Sequence, residues 1–245
     1  MSNKKDGSHA NNVLQFQSAI NMVVSYGSSY RPAGYLSLEN LSNTEKEASL
    51  ALRKVNEYKS ACNEATIIRD QLFRRLRPIF KRIIETMEVC RASKERLKDA
   101  QIIYKHMQGH FKYVTLEPTE PNKETIKKRI HVGAHKSFLD KAVTLENLIL
   151  ILQKEPNYLP NETELSIPEL QTLHSKIIGQ IKLVIKKHNE WRSMLLERNR
   201  IFYLRQDNLH CLLQSVKRYV KLTYGTASEQ YRLIKNITIK KYSNT

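Results

Sequence analysis

From Leu72 to Cys90 the apolar residues return at intervals that suit one geometry. Leu72, Leu76, Phe80, Ile83, Met87 and Cys90 follow one another at steps of 4, 4, 3, 4 and 3, which line up on one side of a 3.6-residue helix. Leu41, Ala48, Leu52, Val55 and Ala65 carry a similar stripe upstream. Only 7 Gly and 7 Pro occur in 245 residues, too few for the many tight turns of an all-β chain. The expected fold class is all-α: two tandem related helical-bundle units joined by a linker. A chain of this length can bury two real cores without staples.

Breakers and caps divide the chain. Residues 1–10 are polar and expected to be unstructured. Residues 11–26 fit a helix or an extended arm, with Val13, Leu14, Ile20, Val23 and Val24 as its apolar positions. Pro32 and Gly34 mark 27–37 as a loop, so 1–36 reads as an N-terminal arm and loop. Ser42-Asn43-Thr44-Glu45 has capping-box spacing and opens a first repeat over 37–110. Pro78 lacks a donor and disfavours α geometry at Arg77, which predicts a break or kink near 75–78. A further helix is expected over 93–108, stopped by Gly109. Residues 111–134 read as a linker, with the turn-forming run Glu117-Pro118-Thr119-Glu120-Pro121-Asn122, then basic Lys127, Lys128 and Arg129, then Gly133. The second repeat, 135–240, begins with a helix over 135–154, ended by Pro156 and Pro160. Ser166-Ile167-Pro168-Glu169 then caps a long helix to about residue 204, with Pro168 in the first turn, where its missing N–H costs little. Helices over 207–224 and from a Thr226-Ala227-Ser228-Glu229 cap to about Lys235 complete it.

The halves match. Arg69-Asp70 with Leu72 and Phe73 corresponds to Arg198-Asn199 with Ile201 and Phe202, an offset of 198 − 69 = 129. The same offset pairs Leu41 with Leu170, Leu52 with Ile181, Val55 with Val184 and Ile83 with Leu212. Both long helices start from a Ser-x-x-Glu cap. Duplication of one helical unit accounts for these matches.

A surplus of 41 basic over 24 acidic residues gives a net charge of +17, which attracts anionic partners. The cations are spread along the helices. Arg69, Arg74, Arg75, Arg77, Lys81 and Arg82 form one group. Lys182, Lys186, Lys187, Arg192, Arg198, Arg200 and Arg205 form its counterpart; Lys217, Arg218 and Lys221 form a third. Of these, Arg69, Arg74, Arg75, Arg77, Lys81, Lys186, Lys187, Arg198, Arg200 and Arg205 are the candidate anion or nucleic-acid contacts, touching phosphates without reading sequence. Tyr203, Tyr219, Tyr224 and Tyr231 have the chemistry to stack on bases, though at helical spacing they also suit the edge of a core. Trp191 and Phe202 read as core.

No catalytic, cofactor or metal site is expected. His106/His110 and His131/His135 are spaced i,i+4, but a helical zinc site needs a third ligand and no metalloprotease Glu follows either pair. Glu85 and Glu88, beside Arg74, Arg77 and Lys81, suit a salt-bridged face better than acid–base work. No nucleophile elbow or glycine-rich phosphate loop is present. Cys62, Cys90 and Cys211 lack metal or disulfide spacing and fit a reducing compartment as small buried hydrophobes. No signal-peptide core and no apolar run near the roughly 18 residues of a membrane span are visible, so a cytoplasmic location is expected.

Tyr158-x-Pro160-Asn161-Glu162-x-Glu164-Leu165, Arg198-Asn199 with Phe202-Tyr203, Val216-Lys217-x-Tyr219-Val220-Lys221, and Tyr224-Gly225 with Ser228-x-x-Tyr231 and Ile234-Lys235 form a specific string. With Ala61-x-Asn63, Arg69, Phe73, Arg82, Asp99-Ala100 and Gly109, the string resembles an uncharacterised bacterial family of two-repeat helical proteins. The resemblance covers roughly residues 30–240. It departs mildly at Phe202-Tyr203 (Leu-Tyr in the family) and Tyr224-Gly225 (Phe-Gly), and at His106, where the family is basic and polar. It implies the two-repeat helical fold and no activity or cofactor. The functional expectation is a non-enzymatic scaffold or protein-interaction module with an unknown partner or self-association. The alternative is sequence-independent nucleic-acid binding through basic helix faces.

Overall fold

The computed structural model describes residues 3–32, 34–108, 110–116, 126–132 and 137–241. The fold is all-α, with one two-stranded ribbon among the described residues. The elements are α1 (Asn3–Ser25), α2 (Leu38–Val89), α3 (Lys94–Gln108), β1 (His110–Leu116), β2 (Ile126–Val132), α4 (Phe138–Gln153), α5 (Ile167–Asn199), α6 (Leu209–Tyr224) and α7 (Glu229–Ile234).

Four local expectations change. The polar N-terminus is helical from Asn3, and α1 settles the ambiguity over 11–26. Val13, Phe16, Ala19 and Val23 are buried at steps of three and four, so packing of one face overrides a polar composition. α2 starts at Leu38 rather than at the Ser42 box. The Ser37 hydroxyl accepts the Asn40 N–H, 3.3 Å away, and supplies an earlier cap. α2 also runs unbroken through Pro78 for 52 residues. Arg74, whose carbonyl loses its donor, and Pro78 are both exposed, so water can satisfy that oxygen. On the other side Leu76, Ile79, Phe80 and Ile83 are buried and hold the helix together. The stretch read as a linker contains the antiparallel ribbon, in the register His110↔Val132 to Leu116↔Ile126. Gly109, Gly133 and the Glu117–Asn122 turn lie outside the described residues.

The other helices lie within a few residues of their expected bounds, α7 opening at Ser228 rather than at the Thr226 of its capping box. α4 opens on a full capping box: Ser137 Oγ accepts from Asp140 N, and Asp140 accepts from Ser137 N. α5 begins directly after Ser166 with Pro168 in its first turn. It passes at Arg200–Leu204 into a π turn, a wider coil that absorbs an extra residue. Asn208 caps α6 and Ser228 caps α7. Gly225, with φ of +87°, ends α6 in a region costly for any residue bearing a Cβ.

The contacts group the chain into two compact units that are not consecutive in sequence. One unit comprises 1–62 with 187–245, and the other 63–186. In the first, Phe16, Leu41 and Ala48 share a core with Phe202, Leu209, Leu213 and Val220. In the second, Leu76, Phe80, Ile83 and Met87 share a core with Ala100, Leu145, Leu148, Leu152 and Leu170. Each unit thus takes one part of α2 and one part of α5.

Candidate functional site

The basic residues singled out from the sequence are mostly committed to protein contacts. Arg69 Nε and Nη2 donate to Asp70 Oδ1 at 3.0 and 2.8 Å, and its guanidinium lies 3.6 Å from the centroid of the Phe138 ring, a cation–π distance. Arg198 is buried and donates to Asn199 Oδ1 at 3.2 and 2.8 Å. Arg75 meets Glu164, Lys81 meets Glu85, Lys187 meets Glu190, Arg200 meets Glu197 and Arg205 meets Glu47. Seven of the ten candidates therefore engage a neighbour. Arg74, Arg77 and Lys186 are exposed.

Arg82 joins this network through Glu162 and Glu164. The hydrogen bonds that Arg82 donates to Glu164 and Glu162 raise its pKa above the ordinary value, and the one it donates to Glu164 lowers that carboxylate's pKa. The cluster beside this network lines an open depression of about 280 Å³ with Thr86, Val89, Cys90, Leu159 and Pro160. Arg82 in its lining faces Glu162, and Glu85 lines it too, so it carries no surplus positive charge for an anion.

A second acidic group is structural. Glu155 is buried and accepts from Ser93 N at 3.1 Å and Ser93 Oγ at 2.8 Å, tying the start of α3 to the end of α4. The hydrogen bond from the Ser93 hydroxyl lowers its pKa, opposed by burial and assisted by the Ser93 and Asn157 backbone and by Arg96.

The tyrosines pack rather than present free rings. Tyr203 Oη lies 3.0 Å from both His9 Nδ1 and Asn12 Nδ2. Asn12 also donates to the Lys240 carbonyl and accepts from the Lys240 N–H, pinning the C-terminal segment to α1. Tyr219 accepts from Arg31 N and stacks edge-on against Tyr30. Tyr224 donates to Ser29 Oγ, and Tyr231 packs at the edge of the same core. Phe202 is fully buried, whereas Trp191 is only half-buried. Cys62 is buried, Cys90 half-buried and Cys211 exposed, so the buried-hydrophobe reading holds for the first alone.

One contact set occurs twice. His9 packs edge-on against Phe202 at 5.7 Å, and Phe138 against Phe73 at 4.8 Å; the differences are 138 − 9 = 129 and 202 − 73 = 129. Tyr30 Oη donates to the Leu36 carbonyl at 3.0 Å, and Tyr158 Oη to the Leu165 carbonyl at 2.8 Å. Burial pushes both phenols well above the usual tyrosine range. Sequence reasoning missed the Tyr30–Tyr158 pair because their separation, 158 − 30 = 128, falls one residue out of register.

Among the described residues, no three His, Cys, Asp or Glu side chains converge as a metal site would need. His135 lies outside those residues. Among them too, no helix is long and apolar enough to cross a membrane. The most conspicuous unexplained surface lies on α4. Its inner face buries Ala142, Leu145, Leu148, Ile149 and Leu152, while Leu139, Val143 and Leu150 are 56%, 44% and 48% exposed. Steps of 4 and 7 put those three on one line of the helix. No family model, curated protein or solved structure matches this chain.

Proposed function

We propose that this chain is a non-enzymatic, cytoplasmic helical scaffold that binds a protein partner or a second copy of itself through the outer line of α4. The observation carrying this reading is that α4 is apolar on two sides but packed on one. Leu139, Val143 and Leu150 share this outer line with Glu146, and exposed apolar side chains rimmed by polar ones mark an interaction surface. The three free cysteines suit a reducing compartment.

The scaffold is built, in this reading, from two tandem copies of one helical unit, exchanged in packing. The first copy gives α1 and the start of α2 to one unit, and the rest of α2 with α3 to the other. The second copy gives α4 and the start of α5 to the latter, and the remainder to the former. The repeated Arg–Asx, edge-on ring and Tyr–carbonyl contacts support this. Nucleic-acid binding through the helix faces is less favoured, because most of the candidate cations are locally neutralised.

The test compares the whole chain with a Leu139→Gln, Val143→Gln, Leu150→Gln variant by light scattering and by cross-linked capture from the native host. The expected result is an association that the variant loses while its circular dichroism is unchanged. A monomeric wild type without any partner that depends on this line, or turnover of a small molecule, would refute the proposal.

A further inference from the structure

The third basic group, Lys217, Arg218 and Lys221, escapes the neutralisation that engages most of the other cations. Residues 209–241 carry seven Lys and Arg against one acidic residue, Glu229, a local excess of 7 − 1 = 6 positive charges. None of the seven forms an ion pair among the described residues, and all but Lys217 are exposed. The fold draws four of them together. Lys217 and Lys221 stand one turn apart on α6, with His210 two turns before Lys217 on the same line of the helix. The Lys217 ammonium donates to the Lys235 carbonyl at 2.9 Å, and burial lowers its pKa. Ile237 and Ile239 then enter the same core as Leu212 and Val216, so the chain returns beside α6. Burial first, and then the charges of Lys241 and Lys217, lower the His210 pKa, which places those two cations around one imidazole. From His210 to Lys221 the line covers 221 − 210 = 11 residues, or ~16 Å of helix.

We infer that this line of α6, with Lys235 and Lys241 beside it, is a docking surface for the phosphate backbone of a nucleic-acid duplex. A duplex carries one negative charge per ~1.7 Å of its axis, so ~16 Å presents about ten, enough to meet every cation of the line at once. Such contacts hold the backbone without reading bases. Single-strand binders stack bases on free rings, whereas Tyr219 and Tyr224 are bonded to Arg31 and Ser29. Lys221 Nζ covers Tyr231, 6.0 Å from its ring centroid. A lipid surface takes a helix by its apolar face, and on α6 that face, with Leu212, Leu213, Val216 and Val220, is buried. An acidic protein partner needs an apolar or aromatic anchor at the centre of its contact, and this surface offers only Leu222 on α6 and Leu233 on α7 as exposed large apolar side chains. The surface shares no residue with the outer line of α4 and takes another class of partner, so the two readings stand or fall separately.

The test is fluorescence anisotropy on the whole chain at low salt, with a labelled short DNA duplex, an oligothymidylate of the same length, polyglutamate and phosphatidylserine vesicles. The duplex should bind, and its affinity should fall steeply as salt is added. Lys221→Gln, Lys235→Gln, Lys241→Gln should weaken duplex binding at least about tenfold and reduce the logarithmic salt slope by about 2–3. Lys221→Arg, Lys235→Arg, Lys241→Arg keeps the charge and should bind within about twofold of wild type. Arg74→Gln, Arg77→Gln, Lys186→Gln removes as many exposed cations elsewhere and should change binding by less than about twofold. Lys217 stays in place because it also holds the Lys235 carbonyl. The substituted side chains are all exposed, so circular dichroism should be unchanged in every variant. No duplex binding, equal loss in the Arg74 set, loss in the arginine set, or tighter binding of the single strand, polyglutamate or vesicles than of the duplex would overturn the inference.

Discussion

Phenylalanine at position 158 removes a single oxygen from the chain. Tyr158 is 4% exposed and its hydroxyl donates to the Leu165 carbonyl at 2.8 Å, in a residue itself 1% exposed. The ring of Tyr158→Phe keeps its packing, so the loss is confined to one hydrogen bond and a buried acceptor left without it. Such a loss costs about 1.5 kcal/mol, which lowers Tm by ~3–6 °C in a chain of this size. Tyr30→Phe removes the equivalent donor from Leu36 in the other unit and should cost about the same. The two tyrosines share no partner, so the double variant should lose about the sum, ~3 kcal/mol, within ~0.5 kcal/mol. Guanidinium titration followed by far-ultraviolet circular dichroism measures all three. Absorbance titration adds an independent reading. Burial disfavours the phenolate, so each native pKa lies above the unfolded one; the stability this confers is complete below the ordinary tyrosine pKa and disappears as pH rises through the native value. Two phenols should then remain protonated until the alkaline unfolding transition, and one in each single variant. Single variants within ~0.3 kcal/mol of wild type, or a double variant far from additive, would refute the claim that these are two independent buried locks.

Phe80→Ala empties a fully buried site and should cost about 3–5 kcal/mol, measured in the same titration. Gly225→Ala meets nothing within 4 Å, so its expected loss of ~1 kcal/mol reports backbone strain at φ +87° alone. Glu155 and Glu164 have native pKa values below the unfolded ones. Their contribution is complete above the ordinary carboxylate pKa and is lost as pH falls through the lowered values; Glu155→Gln should therefore flatten the acid limb of a stability–pH profile. A peptide of residues 37–110 lacks Leu145, Leu148, Leu152 and Leu170, which complete its core. Its circular dichroism at 222 nm should show far less helix per residue than the whole chain.

Helical periodicity was legible wherever one face is packed. The stripe from Leu72 to Met87 is buried throughout, and α5 starts directly after Ser166, while α7 is capped by Ser228, two residues past the Thr226 that opens its box. Three features were not legible. Pro78 breaks helices by a local rule, but here the buried residues around it outweigh one lost bond. The ribbon is hidden because its turn-rich centre outweighs two short strands in any reading by composition. The inward commitment of Arg69 and Arg198 depends on Phe138 and on burial, which charge counting does not see. The 129-residue match pairs positions along the chain, yet such a pairing does not say which segment each one packs against.

That last point bears on how the molecule is made. Residues 63–186 contain everything their core uses, so this unit can close while synthesis is still in progress. Residues 3–62 are made before that unit but find their partners only in residues 187–241, made after it. At ~5–20 residues per second, the buried face of α1, with Phe16 and Val23, waits on the order of 10–40 s without its cover. Residues 3–62 are thus made before the other unit and sheltered after it.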